Sequence, residues 1–253
     1  MSALPVSEQQ FSTPRPVRLE VKIPAGDVDV TTVAGEQSTI SVQGPEKLLD
    51  ATTVDQIGDR LIIKYNHKPL SGFRFGRNWG PLRVQVRVPH GSEVELVTAS
   101  SDATLDGRFG GLEATAASGS VRLTGELDGN AKVRNVSGDV RLPRVTGDLN
   151  VQTVSGSVSA DAVGGALVAN SVSGNVLVSA LREGRATVNS VSGKIELGIE
   201  HDTSVDVDAG SASGMLHSEI PLAGAPDGGA GPTVVIRGRT VSGDFRLFRS
   251  AGV

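Results

Sequence analysis

A tripeptide, Val-Ser-Gly, recurs at nearly constant intervals through the second half of this 253-residue chain. Copies begin at five valines, and Ala-Ser-Gly variants begin at two alanines: Val136, Val154, Val172, Val191, Val241, Ala117 and Ala212. With a degenerate copy at Ala99-Ser100-Ser101, the steps from serine to serine are 18, 19, 18, 18, 19, 21 and 29 residues. A short, nearly fixed period predicts structural units that stack on one another.

Each repeat divides into two similar halves. In the copy that starts at Val136, one i, i+2 apolar pair is Val140 with Leu142 and the next is Leu149 with Val151. A pair at this spacing predicts a short strand with one buried face, and glycines between the pairs supply the turns. The sequence therefore predicts an all-β fold, a parallel β-solenoid (β-helix-like) with coils of about 18 residues and two short strands per coil.

Equivalent positions of the repeats predict which side chains form the interior. The third and fifth residues after each serine are mostly apolar and are expected to form interior ladders: Ala103, Val121, Val140, Val158, Val176, Ile195, Leu216 and Phe245, then Leu105, Leu123, Leu142, Ala160, Val178, Leu197, Ser218 and Leu247. We also predict one interior column of Val136, Val154, Val172 and Val191. On that prediction a charge at Val172 would unfold the stack, whereas one at Ser157 or Asn175 would be nearly silent.

The regularity of the chain predicts its organisation. Residues 1–16 form an N-terminal arm, and residues 17–98 form an irregular β-section that caps the stack, because an open solenoid end exposes strand edges. Residues 99–253 form the regular solenoid with a C-terminal cap in which Phe245 and Phe248 act as a plug, and the segment Ala223 to Pro232 forms a surface loop. Residues 17–253 are expected to be one continuous domain.

Composition and the first residues exclude several classes of protein. The chain has no cysteine, which excludes a disulfide scaffold, a thiolate metal site and a cysteine nucleophile. Its first ten residues lack the features of a secretory signal, and no run of 18 apolar residues occurs. We therefore expect a cytoplasmic location, with a peripheral position at the inner face of the membrane as the alternative.

The Val-Ser-Gly-x-Val-x-Leu copies carry a family resemblance. In them the chain resembles, over roughly residues 17–249, the bacterial putative-adhesin or toastrack-type β-strand-repeat family. The resemblance implies a β-solenoid. In some relatives it also implies a role near the cell envelope or in membrane-stress systems.

Metal sites and catalytic residues are not evident in the sequence. The residue after each Ser-Gly is Asp in some copies and Ser, Asn, Lys or Met in others, so a calcium-binding carboxylate ladder is not expected. The densest acidic group, Glu200, Asp202, Asp206 and Asp208, is a candidate metal site, but a solvated strand face explains it better. The histidines lack zinc-site spacing, and the repeated serines are interpreted as turn formers.

These observations predict a non-catalytic scaffold or binding protein with no catalytic residue, metal or cofactor. The alternative is a carbohydrate-active β-helix enzyme, in which carboxylates from different coils would converge in a groove. The sequence leaves the oligomeric state open.

One connection between strands combines aromatic and basic residues. Residues 66–81 contain the candidate partner-binding residues Phe73, Arg74, Phe75, Arg77 and Trp79, inside a segment, residues 60–89, that has seven cations and no carboxylate. We predict a basic surface whose aromatic loop anchors a protein partner or an anionic membrane surface. No nucleic acid partner is expected. The alternative is a loop that only caps the solenoid.

Overall fold

The structure is a computed structural model that describes residues 5–66, 82–220 and 231–250. The prediction of an all-β fold is confirmed, since one short helix accompanies the described strands. Their bounds are β1 (Val6–Ser12), β2 (Arg18–Val33), β3 (Gln37–Gln43), α1 (Glu46–Asp50), β4 (Thr52–Ile57), β5 (Arg60–Tyr65), β6 (Leu82–Pro89), β7 (Ser92–Ser118), β8 (Val121–Leu127), β9 (Ala131–Ser137), β10 (Val140–Val145), β11 (Leu149–Ser155), β12 (Val158–Val163), β13 (Leu167–Ser173), β14 (Val176–Leu181), β15 (Gly184–Ser192), β16 (Ile195–Ile199), β17 (Ser204–Ser211), β18 (Leu216–Ser218), β19 (Thr233–Thr240) and β20 (Phe245–Arg249).

The chain divides into two compact units, Met1–Thr124 and Gly125–Val253. In the first unit the long strand β2 has parallel partners on both edges. Its first half places Leu19 between Leu61 of β5 and Val94 of β7. Its second half runs between β6 and the continuation of β7. Because alternate residues point inward, Leu19 and Leu61 are fully buried, and β2 forms a complete coil.

On the edges that do not face β2, strands β5 and β6 have antiparallel neighbours. Strand β4 pairs antiparallel with β5, while β3 pairs antiparallel with β6 and β1 with β3. These strands satisfy backbone groups along β5 and β6 that an uncapped coil would expose. The irregular β-section thus contributes β3 and β4 to the predicted cap, and the predicted N-terminal arm contributes β1.

The second unit contains two columns of parallel strands. One column runs β9, β11, β13, β15, β19, β17, and the other runs β10, β12, β14, β16, β20, β18. Each coil contributes one strand to each column, and residues in register face their equivalents, as Val158 faces Val140 and Val176. The parallel solenoid with two strands per coil is therefore confirmed, and its predicted ladders are buried from Val140 to Leu197.

The last coil of the sequence is not the last coil of the stack. Strand β19 pairs with β15 on one edge and with the earlier strand β17 on the other, and β20 lies in the same way between β16 and β18. Phe245 and Leu247 are fully buried between two coils, so the prediction that this coil plugs the end is wrong. Leu216 was expected in the interior but is 44% exposed, because β18 pairs only with β20 among the described strands.

The valines of the repeated tripeptide lie outside the solenoid. Val136, Val154, Val172 and Val191 are 46–51% exposed, so the predicted interior column is wrong. The inward position belongs to the preceding polar residue, which is buried in every one of these copies: Asn135, Thr153, Ser171 and Ser190. Strand alternation then directs the valine outward.

Most of these buried polar side chains hydrogen-bond the corner that follows them. Asn135 Nδ2 donates to the carbonyl of Gly138 at 2.8 Å, and Thr240 Oγ1 accepts from the backbone nitrogen of Gly243 at 3.0 Å. In the described part of the chain, two buried side-chain oxygens lack a hydrogen-bond partner, Asn135 Oδ1 and Thr153 Oγ1. The repeated motif therefore begins one residue before the valine, at a polar side chain that orders the turn.

Glycine is required at the corner because neighbouring coils approach closely there. Gly156 has φ of +138°, and a Cβ at this position would lie 2.2 Å from the carbonyl oxygen of Gly138 in the adjacent coil. Both the backbone conformation and the space exclude a larger residue.

Side-chain oxygens of Asp or Asn connect successive coils at the next position. Oδ1 of Asp139 accepts from the nitrogen of Ser157 at 3.1 Å, and Asn175 accepts from Lys194 at 2.9 Å in the same way. Alternate coils supply the acceptor, which explains why the sequence lacks a continuous aspartate ladder.

Candidate interaction face

The five residues that the sequence predicts for partner binding, Phe73, Arg74, Phe75, Arg77 and Trp79, lie outside the described residues. Their role stays a prediction.

Neighbouring strands neutralise part of the charge of the basic segment, residues 60–89. Arg60 donates to Glu20 of β2 at 2.5 Å, and Arg83 lies 3.5 Å from Asp27 of the same strand. The described part of this segment is therefore less basic than its own residues suggest.

Glu20 is the centre of an ion-pair cluster in the first unit. Its carboxylate accepts hydrogen bonds from Lys22 and Arg60, and Glu95 on the next strand binds Arg18 at 2.9 Å. The hydrogen bond from Lys22 lowers the pKa of Glu20, whereas burial opposes this, and Arg60 lowers the pKa further. This arrangement stabilises the face of β5, β2 and β7 through satisfied charges.

The acidic group of the C-terminal coils does not assemble into a metal site. Asp208 binds Arg239 through both of its carboxylate oxygens, each at 2.8 Å. Within residues 5–66, 82–220 and 231–250, no group of three or more histidine, cysteine, aspartate or glutamate side chains could hold a metal ion.

A shallow recess in the first unit contains two carboxylates. It has a volume of about 290 Å³ and is lined by Asp27, Asp102, Ser100 and Ser101 among others. Asp27 lies near Arg83, and Asp102 Oδ1 accepts from the nitrogen of Ser120 at 2.8 Å. Both carboxylates thus already interact with neighbouring groups.

The outer side of five adjacent strands in the second unit has an unusual charge distribution. Strands β9, β11, β13, β15 and β19 contain no aspartate or glutamate. Their outward residues include five cations, Lys132, Arg134, Arg185, Arg237 and Arg239, of which the four arginines are exposed. We call this side the acid-free face. Strand β17, which flanks it, carries Asp206 and Asp208.

Two rows of uncharged side chains cross the acid-free face. One is the valine row, Val136, Val154, Val172, Val191 and Val241, which are 46–53% exposed. The other contains amides of the three middle strands, Gln152, Asn170 and Asn189, and Asn189 Nδ2 donates to Asn170 Oδ1 at 3.0 Å. The face therefore offers apolar, hydrogen-bonding and cationic groups together.

The outer side of the other column differs because it carries acidic as well as basic residues. Glu196 of β16 binds Lys194 at 2.8 Å and lies 3.5 Å from Arg246, which also binds Glu219 at 2.6 Å. That side therefore mixes acids and bases, including the exposed Arg141 and Arg144 of β10, whereas the strands of the acid-free face have no carboxylate.

The acid-free face corresponds to a sequence pattern that becomes visible only when the repeats are aligned with one another. It lies at the positions five and three residues before each serine of the repeat, which are Lys132 and Arg134 in one copy and Arg237 and Arg239 in another. No acidic residue occurs at these positions in the five strands. The charges become a surface only when the coils are aligned.

A model of the family named Toastrack DUF4097 matches residues 18–227, which is most of the chain. The chain belongs to the Toastrack DUF4097 family. No curated protein matches it. In the described part of this Toastrack chain, no helix has the length and apolar character needed to cross a membrane.

Several solved structures resemble this Toastrack chain. A protein of Bacteroides fragilis named a putative adhesin is 14% identical, with a TM-score of 0.46, 96% of this chain covered and 97% of that one. A protein of Parabacteroides distasonis with the same description is 13% identical, with a TM-score of 0.47 and coverage of 96% and 97%. Another from Parabacteroides distasonis, named a putative lipid binding protein, is 13% identical, with a TM-score of 0.42 and coverage of 96% of both chains.

Proposed function

We propose that this Toastrack chain is a non-catalytic β-solenoid scaffold that binds an anionic partner through the acid-free face. The observation that carries the proposal is the absence of carboxylates from five adjacent strands that together have five outward cations. Aligned cations on strands that lack carboxylates create a positive field that attracts anions, although Asp208 of the flanking strand β17 binds Arg239. Such binding suits a role at the cell envelope, in adhesion or in the response to membrane stress.

Retention of the purified protein on immobilised heparin, used as a general polyanion, tests this function. The whole chain has a formal net charge of −4, so retention at low salt requires a local cationic surface. The variant Arg185→Glu with Arg237→Glu reverses two charges of the acid-free face and should elute at markedly lower salt.

A matched control reverses two exposed charges of the other column, Arg141→Glu with Arg144→Glu. It makes the same change in net charge and should stay close to the wild type. If both double variants lose retention equally, net charge rather than the acid-free face controls binding and the proposal fails.

A further inference from the structure

We infer that the anionic partner of the acid-free face is a polysaccharide that carries isolated acidic groups among neutral sugars, an inference that rests on the proposed function. Two cations of this face lie close together. Arg185 of β15 is in register with Val235, two residues before Arg237 on the neighbouring strand β19. With about 4.8 Å between strands and about 3.3 Å per residue, the Cα atoms of the two arginines are about 8 Å apart. Both side chains are exposed, and neither forms an ion pair within the described residues.

Two arginines at this separation fit a single anionic group. Guanidinium groups bind the oxygens of carboxylates and phosphates through paired hydrogen bonds. Thr187, in register with Arg237 and two residues after Arg185, adds a half-exposed hydroxyl group beside the pair. We call these three residues the arginine pair site, and it holds one acidic group of the ligand.

The carboxylates of β17 limit the direction in which the ligand extends from this site. Asp208 is in register with Arg237 but binds Arg239 through both of its oxygens. Asp206 is exposed and is in register with Val235, so a further acidic group on that side would be repelled. The ligand therefore extends from the arginine pair site in the other direction, across β13 and β11.

Strands β11 and β13 contain no charged residue. Their outward side chains include Gln152 and Asn170, which are in register with each other and with Asn189 of β15. Because Asn189 Nδ2 donates to Asn170 Oδ1 at 3.0 Å, the nitrogen of Asn170 and the oxygen of Asn189 are left as a donor and an acceptor. Sugar hydroxyl groups both donate and accept hydrogen bonds, so neutral sugars match this row.

The valine row supplies apolar surface beside the amides. Val154 and Val172 lie two residues after Gln152 and Asn170 and are 46% and 48% exposed. Sugar rings have apolar C–H faces as well as hydroxyl groups, and small-molecule sites commonly combine apolar surface with a few placed polar groups. A polymer with a charge on every unit would instead place most of its anions over side chains that cannot neutralise them.

Titration calorimetry with hyaluronan oligosaccharides tests the inference, because hyaluronan carries a carboxylate on every second sugar. The wild type should bind these oligosaccharides and should not bind dextran, which is neutral. Arg185→Ala and Arg237→Ala should each weaken binding about tenfold. The double variant should weaken it by clearly less than about a hundredfold, because both arginines contact the same carboxylate. Losses of binding free energy that simply add in the double variant would overturn the shared anion site.

A second variant separates recognition of sugars from attraction of charge. Asn170→Ala with Asn189→Ala removes two amides without altering charge, so hyaluronan binding should fall several-fold. Retention on immobilised polyphosphate, which has no sugar, should stay unchanged. Gln9→Ala with Gln85→Ala, at exposed positions of β1 and β6, is the matched control and should bind hyaluronan as the wild type does. Unchanged hyaluronan binding by the asparagine variant would overturn the role of the amides, and thermal melts confirm that each variant is folded.

The outcomes also distinguish this inference from the proposed function. Retention on heparin without binding of hyaluronan overturns the polysaccharide inference and leaves the anionic-partner function standing. Absence of binding in both assays overturns both.

Discussion

The Asp244 carboxylate accepts a hydrogen bond at 3.0 Å from the backbone nitrogen of Met215, a residue that precedes it by 29 positions. The equivalent bonds between other coils run from an earlier acceptor to a later nitrogen, as from Asp139 to Ser157. The reversed order at Asp244 follows from the insertion of β19 and β20 between the coils that precede them in the sequence.

We predict that Asp244→Ala loosens the outermost coil. Loss of one hydrogen bond contributes about 0.5–1.5 kcal/mol, so amide hydrogen exchange over residues 204–218 should accelerate by up to about tenfold. Exchange over residues 131–181 should not change. Asp161→Ala, at an exposed position of β12, is the control, and equal acceleration in both variants would contradict a specific role for Asp244.

Exposure predicts opposite results for charges introduced at two neighbouring valines. Val172 is 48% exposed and Val188 is fully buried. Val172→Asp should change the unfolding free energy by no more than about 1 kcal/mol, whereas Val188→Asp places an unpaired charge in the interior at a cost of several kcal/mol. Thermal melts of the two variants measure this, and a larger loss at Val172 would refute the assigned faces.

Two buried threonines at equivalent corner positions should respond differently to loss of their hydroxyl groups. Thr153 Oγ1 lacks a partner, whereas Thr240 Oγ1 accepts from the nitrogen of Gly243. Thr153→Val should be neutral or stabilising. Thr240→Val leaves a buried N–H unpaired and should cost about 1–3 kcal/mol. Urea unfolding of both variants provides the comparison, and equal destabilisation would show that the hydroxyl at residue 153 is satisfied.

The ion pairs of Glu20 should make the stability of the fold depend on acid. Because the pKa of Glu20 is lowered in the folded state, its ionised form stabilises the fold above the ordinary carboxyl pKa of about 4.3. That stabilisation is lost as the pH falls through the lowered pKa. Glu20→Gln should therefore be less stable than the wild type at pH 7, and the difference should shrink towards pH 2.

Urea unfolding at several pH values measures this difference. Glu8→Gln, at an exposed position of β1, serves as the control and should follow the wild type throughout. A Glu20→Gln deficit that persists unchanged at pH 2 would point to lost packing rather than lost charge.

The sequence predicts the solenoid because the spacing of its apolar residues shows both the repeat length and which face of each strand is buried. The i, i+2 pairs, such as Val140 with Leu142, are buried as their alternation requires. Val136 was assigned wrongly because hydrophobicity suggested an inward position, whereas the corner needs the hydrogen bonds of Asn135 there. A buried polar residue that orders a turn is not visible from apolar spacing.

Two other features depend on pairing between distant strands. The sequence interpretation assumes that the coils stack in chain order. The Asp and Asn side chains that bridge neighbouring coils occur in alternate coils, and this alternation continues only if the coil of Asp244 precedes that of Met215 in the stack. The acid-free face was missed for a related reason, since its cations occur in separate repeats. Only register brings Lys132 and Arg237 onto one side of the same sheet.

Insertion of β19 and β20 also constrains how the protein is made. Residues 204–218 leave the ribosome before residues 233–249, a delay of about 2–6 s at 5–20 residues per second. During that interval the strand edges of β15 and β16 that β19 and β20 will occupy are unpaired. Strands β17 and β18 either remain undocked or pair with those edges and are displaced later. Docking of the coils one after another in chain order therefore cannot produce this end of the stack, and a chain that ends before residue 233 lacks the strands with which β17 and β18 pair.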